Sequence, residues 1–330
     1  MTRSGHGVTI YEVAARAGVS ISTVSLAINA PHRVRAATRE RVMSAARDLG
    51  YRVVASTPRA RSGTRLAVAA PFTSYPSYLR RLAGMLERCR DTAIELITLD
   101  IESAARTSTP LLDTLPMRHG IDGLIVMGAP LSGGALRTSR QAGLPVVLVD
   151  ARRVPPSVSG PPTVLIDDLA GGRAIGRHLR DHGHRRAIYL HEPQMSGDYL
   201  SPAMLRVAGL EESIEVVDAV CVESADPAEV VAAAIAAHPS ATAVVAHHDG
   251  FATAIRSRMR ETARQQGRPI ALVGYDDGPA AEVLGLTTVR QPFEESGAAA
   301  IDLMMSILIE GGRPPQQVML EPRLVVRESG

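Results

Sequence analysis

Apolar residues recur at helical spacing three times within the first fifty positions. Val13, Ala14 and Ala17 line one face of a first segment; Val24, Leu26 or Ala27, and Ile28 form the inward face of a second; Val42, Ala45, Ala46 and Leu49 that of a third. Thr9 with Glu12 three positions on predicts a helix start that satisfies two free backbone donors reciprocally. Gly18 supplies the backbone freedom of a tight turn, and Ser20 predicts a cap for the second helix. Residues 9–29 therefore read as a helix-turn-helix, whose second helix is the one such motifs lay in the major groove of DNA. An ordinary helical hairpin inside a larger fold shares so short a pattern. The third helix, able to close a small core over the first two, and the charge of the head favour the DNA-binding reading.

Beyond residue 65 the period changes. Short apolar runs at 66–71, 94–99, 121–127, 145–150, 163–167, 187–191, 241–246 and 270–275 predict buried strands. Helical patterns at 78–89, 170–182, 227–237, 252–265 and 297–309 alternate with them. In the helix at 78–89, Leu79, Leu82, Met85 and Leu86 are expected to point inward. Such alternation predicts an α/β body of parallel sheets flanked by helices, and two sheets suit the length. The expected division is a helix-turn-helix domain at 1–51, a linker at 52–65, one lobe at 66–162 with 291–320, and a second at 163–290 with 321–330.

Charge separates the head from the body. Residues 1–65 hold eleven arginines against Glu12, Glu40 and Asp48, whereas the whole chain is only +2. A basic head on a mildly acidic body is the electrostatic footprint of a nucleic-acid binder, because phosphate contacts give sequence-independent affinity through counterion release. All 36 basic side chains are arginine. The opening residues lack the apolar stretch of a secretory signal, and no run approaches the ~20 apolar residues of a membrane span. The expectation is a cytoplasmic, nucleoid-associated protein with no membrane contact. Cys89 and Cys221 stand alone and are expected to be buried small hydrophobes.

Ligands of open α/β sheets lie beyond the carboxyl ends of strands. Ser74, Tyr75 and Tyr78 follow the first strand, Asp150 ends the fourth, His248 and Asp249 follow Val244-Val245-Ala246, and Asp276 ends the run 272–275. A metal reading of His247, His248 and Asp249 with Asp276 and Asp277 fails, because adjacent histidines on an extended segment point apart. The chain shows no phosphate-binding glycine loop, nucleophile elbow or zincin motif, so neither an enzyme, a cofactor nor a metal is expected.

Taken in order along the chain, these motifs resemble the LacI/GalR family of bacterial transcriptional regulators over essentially its full length. The head resembles it in Val8 to Ala14, Ala17-Gly18-Val19-Ser20, Thr23-Val24-Ser25, Asn29, Thr38 to Val42 and Gly50-Tyr51. The body does so in Ile121-Asp122-Gly123, Asp167-Asp168, Gly171-Gly172, His178-Leu179, Gly183 to Arg186, Gly274 to Asp277, Leu286 to Gln291 and Leu324 to Ser329.

The resemblance implies a homodimer whose heads bind a pseudo-palindromic double-stranded operator. Its bodies would hold a small-molecule effector, a sugar or nucleoside, between two lobes. It makes Thr9, Tyr11, Ser20, Thr23, Ser25, Asn29 and Arg33 DNA contacts, with Ile21, Ser22 and Leu26 on the base-reading face. Leu26 and Ile21 suit thymine methyls, which implies A·T at key positions. The linker departs from the family's hinge helix, with Pro58 inside it. Arg59 and Arg61 are expected to enter a narrow minor groove as an arginine arm, a disordered linker being the other reading.

For the effector the resemblance implies Tyr75 or Tyr78, Asp150, Arg206, His248, Asp276 and Gln291, alongside Ser74. Asp276 with Arg206 suits vicinal hydroxyls. A loop cap for Asp276 and a salt bridge for Arg206 are the rival readings. An orphan regulator whose body only dimerises or senses a protein is the alternative function.

Overall fold

The computed structural model describes residues 8–29, 31–51, 63–101, 112, 114–115, 120–153, 160–193, 199–223, 226–310 and 315–330. The head forms α1 (Ile10–Ala17), α2 (Ile21–Asn29) and α3 (Ala36–Leu49). There follow β1 (Thr64–Ala70), α4 (Pro76–Cys89), β2 (Ile94–Asp100), β3 (Gly123–Met127), α5 (Gly133–Gln141), β4 (Val146–Val149), β5 (Arg152–Arg153) and β6 (Thr163–Ile166). Next come α6 (Asp168–Asp181), β7 (Arg186–His191), β8 (Tyr199–Leu200), α7 (Pro202–Glu211), β9 (Glu215–Cys221), α8 (Pro227–Ala237), β10 (Ala243–Ala246) and α9 (Asp249–Gln266). The chain ends with β11 (Ala271–Val273), α10 (Pro279–Val283), β12 (Thr288–Arg290), α11 (Phe293–Glu310), β13 (Gln317–Leu320) and β14 (Arg323–Val325).

Local chemistry sets the head. Glu12 N–H donates to Thr9 Oγ1 at 3.4 Å while Thr9 N–H donates to Glu12 Oε2 at 2.7 Å, closing the reciprocal cap. The bond from the Thr9 backbone holds the Glu12 carboxyl below its ordinary value. Gly18 ends α1 in the left-handed region at φ 64°, and Thr23 N–H donates to Ser20 Oγ at 3.2 Å to start α2. Val13, Ala14, Ala17, Val24, Ala27, Ile28, Val42, Met43, Ala45 and Ala46 bury into one small core. Ala27 faces inward and Leu26 outward, which resolves the two-way expectation for α2.

The chain divides into two compact units, one of residues 1–151, 158–163 and 297–317 and one of 152–157, 164–296 and 318–330. The helix-turn-helix falls within the first. In that unit β2, β1, β3 and β4 run parallel and side by side in this order. All five residues of β3 and all four of β4 are buried, as expected of strands covered on both faces. Ala67, Ala69, Leu124, Val126, Val146 and Leu148 pack into one core cluster with Leu136 and Leu144. A Cβ at Gly123 would lie 2.5 Å from Met304 Sδ, so α11 approaches the sheet where that glycine leaves room.

In the second unit the parallel order is β11-β10-β7-β9. Alternate residues of β7 part to opposite faces: Ile188 and Leu190 join Val231, Ile235, Ala252 and Ile255, while Ala187 and Tyr189 join Ile175, Leu179 and Leu210. Helices α8 and α9 thus cover one face and α6 and α7 the other. Strand β9 has no counterpart among the expected strands: as an edge strand with a register shift beside Ala187 and Ile188, it keeps exposed positions and lacks a continuous apolar run. Its last residue, Cys221, is exposed, contrary to expectation, whereas Cys89 is buried. Among the described residues no helix is long and apolar enough to cross a membrane.

Glycines let α6 and α7 touch backbone to backbone. A Cβ at Gly172 would fall on the carbonyl oxygen of Arg206, one at Gly209 on that of Leu169, and one at Gly176 would lie 2.8 Å from Leu210 O. Gly172→Ala gains about 1 kcal/mol of helix propensity but forces backbone apart at an overpacking cost of about 1–3 kcal/mol. The variant is expected to unfold at lower urea than the parent; equal or greater stability would refute the close approach.

Candidate functional site

The head turns one side of α2 outward. Ile21, Ser22 and Leu26 are exposed, Thr23 and Ser25 half-buried. Ser20 Oγ lies 2.8 Å from both Ser22 Oγ and Thr23 Oγ1, so a chain of hydroxyls crosses the helix start. Thr9 and Tyr11 at the start of α1, and Arg33 in the short 3₁₀ turn Pro31–Arg33, are also exposed. Asn29 is the last residue of α2. The predicted arm residues Arg59 and Arg61, with Pro58, lie outside the described residues.

In the first unit the polar candidates gather at strand ends. Asp150 follows β4 with φ 53°, and its carboxylate pairs with Arg81 of α4, a guanidinium withdrawn almost entirely from water. That guanidinium lies 5.1 Å from the centroid of the Tyr78 ring, and Tyr75 meets Tyr78 edge to face at 6.1 Å. Gly128, after β3, has φ 66°, and a Cβ there would strike the Tyr78 hydroxyl. Ser74 sits exposed in the turn after β1. The apolar spacing of α4 gives no sign of Arg81, since it assigns that position to the helix surface. Its pairing turns α4 so that Arg81, Gly84, Met85 and Cys89 face inward. Leu79 and Leu86, expected inward, are instead 52% and 53% exposed.

In the second unit the buried pair is Arg206 with Asp168. Arg206 Nε donates to Asp168 Oδ1 at 2.8 Å and Nη1 to the His247 carbonyl at 2.6 Å, and the guanidinium lies 3.6 Å from the Tyr275 ring centroid. Burial, reinforced by the charge of Arg206, holds His247 well below its ordinary pKa, so the ring is neutral. Arg206 Nη1 approaches His247 Nδ1 at 3.2 Å and the Tyr189 hydroxyl does so at 3.3 Å, which makes Nδ1 the acceptor and leaves the proton on Nε2. The salt bridge read as Arg206's rival role is present. Its opposite number in the vicinal-hydroxyl expectation, Asp276, accepts from Gln291 Nε2 at 2.6 Å.

His248 caps α9. Its Nδ1 accepts from Phe251 N–H at 3.2 Å, which directs Nε2 toward Glu192 Oε1, also at 3.2 Å. The two adjacent histidine rings thus serve different partners, and among the described residues no group of three or more His, Cys, Asp or Glu is placed to hold a metal ion.

Asp276 and Asp277 stand at φ 111° and 51°. With Asp150 they are the non-glycine residues of positive φ among those described, and all three follow strand ends. Such backbone costs roughly 1–3 kcal/mol per residue and persists only where the surroundings enforce it. Asp276 N–H donates to Val289 O at 2.8 Å. Asp277 takes Arg290 Nε at 2.6 Å and Arg327 Nη2 at 2.8 Å. Burial works to raise the Asp277 carboxyl, but the hydrogen bonds from Arg327 and Arg290 outweigh it and hold it below its ordinary value.

Asp249 clasps the same loop. Its N–H donates to Tyr275 O at 2.7 Å, and its carboxylate accepts from Gly278 N–H at 2.8 Å and Thr288 Oγ1 at 2.7 Å. Burial pushes its pKa from 3.8 up to about 6, against those two hydrogen bonds. Because the folded value is the higher, this group favours the fold at pH below 3.8 and that contribution is lost as pH rises through about 6, a swing of about 3 kcal/mol. Asp249→Asn keeps an acceptor for Gly278 and does not titrate. Urea unfolding is expected to show the variant gaining up to about 3 kcal/mol on the parent between about pH 4 and pH 7; a pH-independent difference would contradict the assignment.

Comparisons with known proteins bear on both parts. Residues 9–69 match the profile of bacterial regulatory proteins of the lacI family, and residues 177–330 that of a periplasmic binding protein-like domain. The chain is 26% identical to the HTH-type transcriptional regulator DegA of Bacillus subtilis over 97% of each protein. It is 25% identical to the ribose operon repressor of Escherichia coli over 97% of this chain and 99% of that one. A solved transcriptional regulator, CelR in complex with cellobiose, is 27% identical with a TM-score of 0.67, covering 98% of this chain and all of that one, 100%. A helix-turn-helix followed by parallel sheets flanked by helices is thus what this chain shares with these transcriptional regulators: it carries the DNA-binding domain of the lacI family of bacterial regulatory proteins together with a periplasmic binding protein-like domain.

Proposed function

We propose that this chain is a repressor that binds a pseudo-palindromic double-stranded operator as a homodimer and is controlled by a small-molecule effector. The observation that carries the effector reading is the set of three left-handed aspartates, Asp150, Asp276 and Asp277, at strand ends. Backbone strain of this kind clusters where ligands are held, and strand ends are where α/β sheets bind them. Ser74, Tyr75, Tyr78 and Asp150, and likewise Arg206, His248, Asp276 and Gln291, are effector residues, and the effector is a sugar or nucleoside. Cellobiose in the CelR structure and the name of the ribose operon repressor support that class. Arg206 offers the ligand only the edge of its guanidinium left over from Asp168 and His247.

On the DNA side, Thr9, Tyr11, Ser20, Thr23, Ser25, Asn29 and Arg33 hold the backbone, which positions without specifying. Ile21, Ser22 and Leu26 face the bases, and Arg59 and Arg61 reach the minor groove. The protein acts in the cytoplasm, where its operator is. Exposed Leu79 and Leu86 on α4 and Ile309 on α11, helices joined at the surface by an Arg88–Asp302 bond of 2.6 Å, form the dimer face.

Two measurements test this. Given a pool of genomic fragments at low ionic strength, the full chain is expected to enrich an inverted repeat, and adding ribose, cellobiose or a nucleoside panel to change that affinity by about 5- to 150-fold for the cognate ligand. No enrichment refutes the operator role; enrichment indifferent to every ligand favours the orphan alternative. Leu86→Arg is expected to sediment as a monomer and to lose most operator affinity, and a dimeric variant would place the interface elsewhere.

A further inference from the structure

We infer that α2 reads its operator through thymine methyl groups, with Ile21 and Leu26 as the specificity-determining residues. The inference deepens the proposed operator binding and rests on it.

Helix α2, Ile-Ser-Thr-Val-Ser-Leu-Ala-Ile-Asn, contains no charged residue and no glutamine. The side chains that discriminate bases by paired hydrogen bonds are arginine or lysine on guanine, asparagine or glutamine on adenine, and aspartate or glutamate on cytosine. On α2 that leaves Asn29 alone, at the end of the helix opposite to the one that meets base edges in this motif. The first turn and a half presents Ile21, Ser22 and Leu26.

Ser22 shares a face with Leu26 at i, i+4. Its hydroxyl is bonded to Ser20 Oγ at 2.8 Å, and a serine donates or accepts with any base. Discrimination therefore falls on two large apolar side chains. Ile21 is 41% and Leu26 39% exposed, while Val24, Ala27 and Ile28 of the same helix fill the core. The apolar feature of a base edge in the major groove is the thymine C5-methyl. The basic charge of the head, eleven arginines against three carboxylates over residues 1–65, makes the occupant of this apolar strip a nucleic acid rather than another protein surface. Five residues of helix advance about 7.5 Å, which spans about two base steps of roughly 3.4 Å. The two contacted thymines accordingly lie about two steps apart in each half-site.

Replacing thymine by deoxyuridine removes the methyl and leaves every hydrogen-bonding group in place. The experiment takes the operator enriched by the full-length protein, substitutes deoxyuridine one position at a time in both half-sites, and measures affinity for the parent, Ile21→Ala and Leu26→Ala proteins. Two positions per half-site are expected to lose about fourfold per methyl, or about fifteenfold when both half-sites are changed. Leu26→Ala is expected to abolish the loss at one of these positions and Ile21→Ala at the other, each variant keeping the parent's circular dichroism and its response at the position it does not touch. An enriched operator that tolerates deoxyuridine everywhere, or whose losses persist in both variants, overturns the inference while leaving operator binding intact. A protein that enriches no sequence overturns both.

Discussion

Arg206 and Asp168 are both almost wholly withdrawn from water, and the strand ends of the second unit are arranged around the need to keep them paired. A buried guanidinium without its carboxylate costs several kcal/mol, so the pair admits little latitude in where α6 and α7 lie. Glycines at 172, 176 and 209 bring those helices close enough for it to form. The remaining donor on Nη1 then fixes the His247 carbonyl, and with it the start of α9, where His248 and Asp249 stand.

The same solution recurs. Arg81 meets Asp150 in the first unit, and Asp277 is held between Arg290 and Arg327 in the second. In both of these an arginine secures an aspartate whose backbone is left-handed. A planar fork with donors in fixed directions suits this task, since it positions as well as neutralises. The strain stored at Asp150 and Asp277 is thereby supported from outside the strands they follow. Asp276 accepts from Gln291 Nε2 and donates its N–H to the Val289 carbonyl, so its carboxylate stands in a loop that its neighbours fix.

Much of this is legible in the chain itself. Thr9, Glu12, Gly18 and Ser20 act locally, through a few consecutive residues, and the head follows from them. The apolar runs of β3, β4, β7 and β10 are continuous because both faces are buried. What escapes is non-local. Arg81 and Asp150 lie 69 positions apart and Arg206 and Asp168 lie 38 apart, so neither pair leaves a periodic mark. The rotation of α4 that exposes Leu79 and Leu86 follows from the first pair, and apolar spacing alone chooses the wrong face. Edge strand β9 lacks the buried run that betrays a central strand. Asp249 carries its role through contacts with Gly278 and Thr288, which nothing in the neighbouring sequence announces.

Head and body answer different demands: the head leaves apolar side chains in water for a partner to cover, whereas the body buries Arg206 against Asp168 and Arg81 against Asp150. The claim on which the body rests is that Arg206 and Asp168 act as one unit. A double-mutant cycle with Arg206→Met and Asp168→Ala, followed by urea unfolding, tests it most directly. Each single change is expected to cost about 3–5 kcal/mol by stranding its partner, and the double variant to cost far less than the two together. Costs that simply add would show that the two residues stabilise the fold independently.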